Sequence, residues 1–249
     1  MKKFKEFVIA IFILSAVGFL IYFMYQSGNR SVNRELAKRM AELSPRGGPP
    51  ETIEGLREAI ALYEDQIERN VREGAQTGVY WKILAIRLAD RNMHSQALEA
   101  LERAVYFNTE DSVLYYLTGV SASHVAKSSI GFSDPHGRER ENYFNLAEKA
   151  YLRALDIDIT YTRPMYALAV LYVFELDRPK DAVIYLERYL QIQTTDYSAM
   201  FVLARAHYMQ KEYQRAVEIY DRIIDRTRDK KMREEALINK DIIQGILYG

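Results

Sequence analysis

The triplet Ala97, Leu101 and Ala104 returns three times further along the chain, as Ala147, Tyr151 and Ala154, as Ala182, Leu186 and Tyr189, and as Ala216, Tyr220 and Ile223. The leading residues lie 50, 35 and 34 positions apart, so the first interval is a 34-residue period carrying 16 extra residues. Each triplet falls on one face of a helix. A period of this length containing a small, large, small pattern describes stacked helix-turn-helix units. Such units bury their cores only against neighbours, so function is to be sought on surfaces before catalytic residues.

Composition narrows the choice. The chain has no cysteine, which removes disulfides, thiol chemistry and cysteine-ligated metals, and excludes a lipid-modified N-terminal Cys. The formal net charge is zero but unevenly placed, because residues 1–50 carry eight Lys or Arg against three acids. That basic stretch hugs an apolar N-terminus, which points to anionic lipid and not to nucleic acid. No basic face suited to phosphate is visible in the repeats.

From Phe7 to Gly28 run 22 uncharged residues, FVIAIFILSAVGFLIYFMYQSG. A helix of about 20 apolar residues spans a bilayer core. A cleavable signal peptide competes, with Lys2, Lys3 and Lys5 as its positive region. The run is longer than such a segment and ends in Tyr22, Phe23 and Tyr25, which suit the membrane interface, so an uncleaved anchor is favoured. The short tail and single span resemble a bacterial signal-anchor, with the repeats periplasmic, although Arg30, Arg34, Lys38 and Arg39 oppose the N-terminal lysines. Val32, Leu36, Met40 and Leu43 then make a short amphipathic pattern, which SPRGGPP at 44–50 ends.

The stretch VYWKILAIRLADRNMHSQALEALERAVYFN is where a family resemblance becomes specific. It resembles a tetratricopeptide repeat (TPR): a unit starting at Gly78 puts Trp81, Leu84, Ala85, Leu88, Ala97, Leu101 and Ala104 on that family's pattern. Further units start at Ser112, Thr162 and Tyr197, and KKMREEALINKDIIQGILYG has the apolar face of a closing helix. Thr109 stands where the family often has proline. The expected organisation is therefore residues 1–29 as tail and span, 30–50 as juxtamembrane helix and linker, and 51–77 as a capping or partial-repeat helix. Four units follow over 78–229, with an insertion near 126–142, and a capping helix over 230–249. The fold class is an all-α solenoid with an N-terminal transmembrane helix.

Chemical constellations are missing. His94, His124, His136 and His207 lack metal-ligand spacing, and nucleotide-binding and hydrolase signatures are absent. The expectation is a non-enzymatic chain with no cofactor and no metal. The insertion reads equally as a functional loop or as a tolerated surface addition.

The TPR resemblance implies that the first helix of each unit lines a concave groove. Carried onto this chain, it nominates Lys82 and Ile86, then Tyr116, Val120 and His124, then Arg163, Tyr166, Val170 and Phe174, and finally Phe201, Arg205 and Tyr208. This surface is apolar and aromatic with Lys82, Arg163 and Arg205 as isolated cations, which suits an extended or helical peptide. The chain's own helices filling the groove is the competing reading. The carboxylate clamp of chaperone-binding TPR proteins is not expected, because Ile86 and Leu117 replace its asparagines. The layout resembles bacterial single-span TPR proteins of the inner membrane that attend secretion, envelope assembly or motors. The expected role is a protein-interaction scaffold, with a self-stacking structural subunit as the alternative.

Overall fold

The computed structural model describes residues 37–39, 41–42, 50, 52–129 and 137–248, and all of their regular secondary structure is helical. The expected span at 7–28, His136 and most of the linker lie outside the described residues. Among the described residues, no helix is long and apolar enough to cross a membrane.

The chain divides into two compact units, one ending at Glu73 and the other beginning at Gly74. In the first, residues 37–39 and 41–42 are helical, and helix α1 (Ile53–Ala89) starts with the Thr52 hydroxyl accepting from Gly55 N at 3.0 Å. The sequence reading separates a helix over 52–72 from a repeat helix starting at Gly78. α1 instead passes through residues 73–77 without a break. That stretch holds no proline, and a glycine costs a helix only about 1 kcal/mol. Gly78 serves close packing: a Cβ there would lie 2.5 Å from Asn108 Nδ2 and 2.7 Å from Phe107 Cβ.

In the second unit the end of α1 pairs with α2 (His94–Phe107). The following pairs are α3 (Ser112–Ser128) with α4 (Arg138–Ile157), α5 (Thr162–Phe174) with α6 (Pro179–Ile192), and α7 (Tyr197–Met209) with α8 (Tyr213–Arg226). α9 (Lys230–Tyr248) packs on α8. Each of these helices from α2 onward contacts its successor, and the first helices of successive pairs also touch, α3 with α5 and α5 with α7. Those side-by-side first helices make one face of the array, and the second helices make the other.

The repeating triplets form the spine of the core. Ala97, Ala104, Ala147, Ala154, Ala182 and Ala216 are wholly buried, as are Leu186 and Ile223, while Leu101, Tyr151 and Tyr220 are nearly so. One large apolar cluster runs from Ala122 to Ile243, and a small one gathers Ala85, Ala100, Leu101, Ala104 and Leu114 around Trp81 and Leu88. Leu84 departs from the expected packing and is 44% exposed.

The insertion lengthens both helices of its pair. α3 has 17 residues where α5 and α7 have 13, and α4 has 20 where α6 and α8 have 14. The carboxylate of Glu175, at the end of α5, receives Arg140 Nη2 at 2.8 Å and Lys127 Nζ at 3.4 Å, both from the lengthened parts. This ties the extension to the next pair.

Turns repeat as well. α1 and α7 end in the same motif, with Met93 N donating to Leu88 O and Asn92 N to Ala89 O, then Glu212 N to His207 O and Lys211 N to Tyr208 O, all at 2.9 Å. Asn92 and Lys211 are left-handed, with φ of 59° and 62°. This is how a helix closes its last carbonyls before reversing. The α5–α6 turn holds one more residue, with Asp177 left-handed at 50° and Arg178 N reaching Tyr172 O at 2.8 Å.

Joints between pairs share a device. Asp111 caps α3 through Val113 N at 3.0 Å while receiving Lys82 Nζ at 2.6 Å from α1. Asp196 caps α7 through Ala199 N at 3.1 Å while receiving the Tyr189 hydroxyl at 2.6 Å from α6. In both, a side chain of one pair grips the residue that starts the next. Tyr189 occupies the site that Ala104 and Ala154 hold in the first two units, and burial together with Asp196 raises its pKa to about 12.

Candidate functional site

Residues four apart on a helix share a face. Tyr116, Val120 and His124 on α3 therefore line up, as do Tyr166, Val170 and Phe174 on α5, and Phe201 and Arg205 on α7. The contact of α3 with α5 and of α5 with α7 sets these rows side by side.

Two cavities open along the resulting face. The first, about 280 Å³, is lined by Tyr116, Val120, His124, Tyr166 and Val170, together with Ser123, Lys127, Tyr151, Ala167, Leu171 and Glu175. The second, about 410 Å³, is lined by Phe174, Phe201, Val202, Arg205, Tyr208 and Tyr220, with Glu235, Asn239, Ile242 and Ile243 from α9. The Arg205 guanidinium lies 4.9 Å from the centre of the Phe174 ring, so a cation stacked on an aromatic stands at the edge of the second cavity.

Aromatic side chains set the walls. Tyr116 meets Tyr161 edge-on at 5.5 Å and Tyr151 at 6.2 Å, Tyr166 meets Tyr189 at 5.4 Å, and Phe201 meets Tyr220 at 5.8 Å. Burial pushes the Tyr151 phenol up to about 12 and raises that of Tyr166. The groove thus offers neutral hydroxyls that hydrogen-bond without ionising. Such a lining offers apolar contact area with few charges to desolvate, which suits an apolar or aromatic side chain on an extended or helical ligand.

Nine of the nominated residues line these two cavities, and three do not. Lys82 is no isolated cation: its ammonium is committed to Asp111 at 2.6 Å. Ile86 is exposed at 36% and lines neither cavity. Arg163 is exposed in the first turn of α5 and lies near the Tyr161 phenol, whose pKa is raised by burial and lowered in part by this guanidinium. Sequence reasoning missed Lys127 and Glu175, because the lengthening of α3 that brings Lys127 to the groove is masked in the repeat alignment. It also missed Glu235, Asn239 and Ile242. The apolar pattern of the closing helix reports its packing side, where Ala236 and Ile243 are buried, and the adjacent strip of the same helix was the available signal. α9 walls the groove and leaves it open, so the closing helix does not fill it.

His94 stacks on His124 with ring centres 4.1 Å apart and planes 7° from parallel. Burial first, then the neighbouring His124, holds the pKa of His94 below its ordinary value. Among the described residues, no three His, Asp or Glu side chains gather as a metal site. On the opposite face, a cavity of about 620 Å³ between α2 and α4 has Leu98, Val105, Tyr115, Tyr143 and Leu146 in its lining. Glu99 and Glu102 stand on one wall and Lys149 and Arg153 on the other.

The class defined by this arrangement is an all-α solenoid of helix-turn-helix pairs with an aromatic groove along its first helices. The model of the family "Anaphase-promoting complex, cyclosome, subunit 3" matches residues 176–233, from the turn after α5 into α9. A TPR repeat-containing protein of Borreliella burgdorferi is 24% identical over 218 residues, covering 86% of this chain and 92% of that protein. Among solved structures, YrrB, described as a TPR protein with an unusual peptide-binding site, superposes with a TM-score of 0.56 at 17% identity, covering 72% of this chain and 82% of its own. MamA of Desulfovibrio magneticus RS-1 gives 0.52 at 13% identity, covering 70% and 98%. A thermophilic TPR protein of Thermus thermophilus gives 0.51 at 16%, covering 72% and 87%. These likenesses show that the chain has the fold of the TPR solenoids.

Proposed function

We propose that this TPR protein is a non-enzymatic scaffold that holds an extended or helical segment of a partner protein in the groove of α3, α5, α7 and α9. The observation that carries the reading is the pair of aromatic-lined cavities of about 280 and 410 Å³, left open by the closing helix. A ligand running along them meets Tyr116, Tyr166, Phe174 and Phe201 as contact surface, and Arg205 as an orienting cation beside Phe174. The fold shared with YrrB supports it, since that relative is described by its peptide-binding site.

The 22 uncharged residues from Phe7 to Gly28 support a single-pass anchor in the inner membrane, with the repeats on the periplasmic side and partners drawn from envelope complexes. Co-purification of partners crosslinked in intact cells, compared between the natural chain and its Tyr166→Ala and Phe174→Ala variants, tests the groove. Loss of a shared set of partners in both variants, with thermal unfolding unchanged, is the expected result. Retention of every partner would remove the groove from the function. Protease access to the repeats only after the outer envelope is opened is expected for the periplasmic orientation, and digestion in inside-out vesicles alone would reverse it.

A further inference from the structure

Up to Val71, helix α1 carries an apolar row that no described residue covers. Ile53, Leu56, Ile60, Tyr63, Ile67 and Val71 are exposed by 65, 40, 55, 51, 60 and 66%. We propose that this row, with Val71 at its flank, is the seam of a parallel two-stranded coiled coil formed with a second copy of the chain.

The spacing argues for it. Ile53, Ile60 and Ile67 recur every seventh residue, and Leu56 and Tyr63 each follow an isoleucine by three. β-branched residues at the first seam position with leucine at the second favour two parallel strands, and a polar residue in the seam fixes register. Asn70 takes that place after Ile67. The outward side of the helix is already satisfied within itself, by Arg69 paired with Asp65 and Arg72 with Glu68 at 2.7 Å.

Charge separates a second copy from a lipid surface. Residues 53–73 hold six acids (Glu54, Glu58, Glu64, Asp65, Glu68 and Glu73) and three arginines, and an acidic helix is repelled by anionic lipid. In a parallel, in-register pair, Glu64 and Val71 lie opposite Ala59, which is buried within its own chain, and the half-buried Gln66, so no like charges face each other. Six such side chains from each of two copies cover on the order of 1,000 Å², the lower bound for a specific interface.

The absence of cysteine makes the test direct. Single cysteines are placed in the full chain at seam positions (Ile60→Cys, Ile67→Cys) and at outward positions (Glu58→Cys, Asp65→Cys), with two differently tagged copies co-expressed. Mild oxidation is expected to link the two tags at the seam positions about tenfold faster than at the outward ones, as in-register seam geometry requires. Ile60→Asp combined with Ile67→Cys should remove that link. Equal rates at all four positions, or no link between tags, would overturn the proposal. So would an intramolecular link in Met40→Cys/Ile60→Cys without one between copies, or a dye at Ile60→Cys that responds only to anionic vesicles.

Discussion

Gly119 on α3 sits so close to Tyr151 on α4 that a Cβ at this position would lie 2.4 Å from the ring's Cε1 and 2.5 Å from Cδ1. The two helices approach here because one residue has no side chain, and the aromatic ring fills the space that this creates. Overpacking a tight core typically costs about 1 to 3 kcal/mol. Gly119→Ala is expected to lose about 2 kcal/mol in urea unfolding, and Tyr151→Leu in the same chain should recover part of it. Full stability of the single variant would show that α3 and α4 are not held at this distance.

Lys211 is the left-handed residue of the α7–α8 turn, at φ 62°, where the corresponding residues of the other turns are Asn92 and Asp177. A long side chain tolerates that region poorly, and Asn or Gly relieves it. Lys211→Gly or Lys211→Asn should raise stability by roughly 0.5 to 1 kcal/mol, seen as a rise of a few degrees in Tm. A fall in Tm would mean that the lysine makes a compensating contact.

Glu148 on α4 joins Tyr172 of α5 to Arg178 in the turn that follows. Its Oε1 accepts from the Tyr172 hydroxyl at 2.8 Å and from Arg178 Nη1 at 2.7 Å, while the Arg178 guanidinium lies 4.5 Å from the Tyr172 ring centre. Glu148→Ala should cost about 1 to 3 kcal/mol, the range for leaving partly buried donors unpaired. Because Arg178 is partly exposed and screened, most of this loss should follow Tyr172. A double-mutant cycle of Glu148→Ala with Tyr172→Phe should then show a larger coupling than one with Arg178→Ala.

His94 gives stability a pH dependence whose sign follows from its lowered pKa. The unfolded chain, with His94 near 6.5, takes up the proton before the folded chain does. Stability is therefore full above that value and falls as pH drops below it. Tm is expected to decline between about pH 7.5 and 5.5, and His94→Gln should flatten the slope. The window stays above the carboxylates: Glu212, held low by the hydrogen bond to His207, contributes a loss only as pH falls below 4.5. An unchanged slope in His94→Gln would assign the effect elsewhere.

How much of this was readable from the chain follows from what a repeat encodes. Ala97, Gly119, Ala169 and Ala216 are small because two helices meet there, so every copy of the pattern reports the same packing event and the register follows. The groove was readable to the same extent, since a register places Tyr166 and Phe201 on one face. Pairings that cross between units leave no periodic trace. Nothing in the pattern says that Lys82 is committed to Asp111, or that Lys127 and Arg140 converge on Glu175. The unbroken course of α1 was hidden because the repeat register starts a new unit at Gly78, whereas that glycine is set by the bulk of Phe107 and Asn108.

The unequal division of the core gives the array a direction. At the Gly74 end a small cluster of five buried residues, Ala85, Ala100, Leu101, Ala104 and Leu114, joins the first pair to the second beside the Lys82–Asp111 ion pair, whereas the remaining pairs share one long cluster. In a linear array each unit is only as stable as its own packing plus its nearest interface. Fraying therefore starts at α1 and α2 and stops where the long cluster begins. Amide exchange should show these two helices opening first while α5, α7 and α9 stay protected, so the wall of the groove outlasts the first pair of the array.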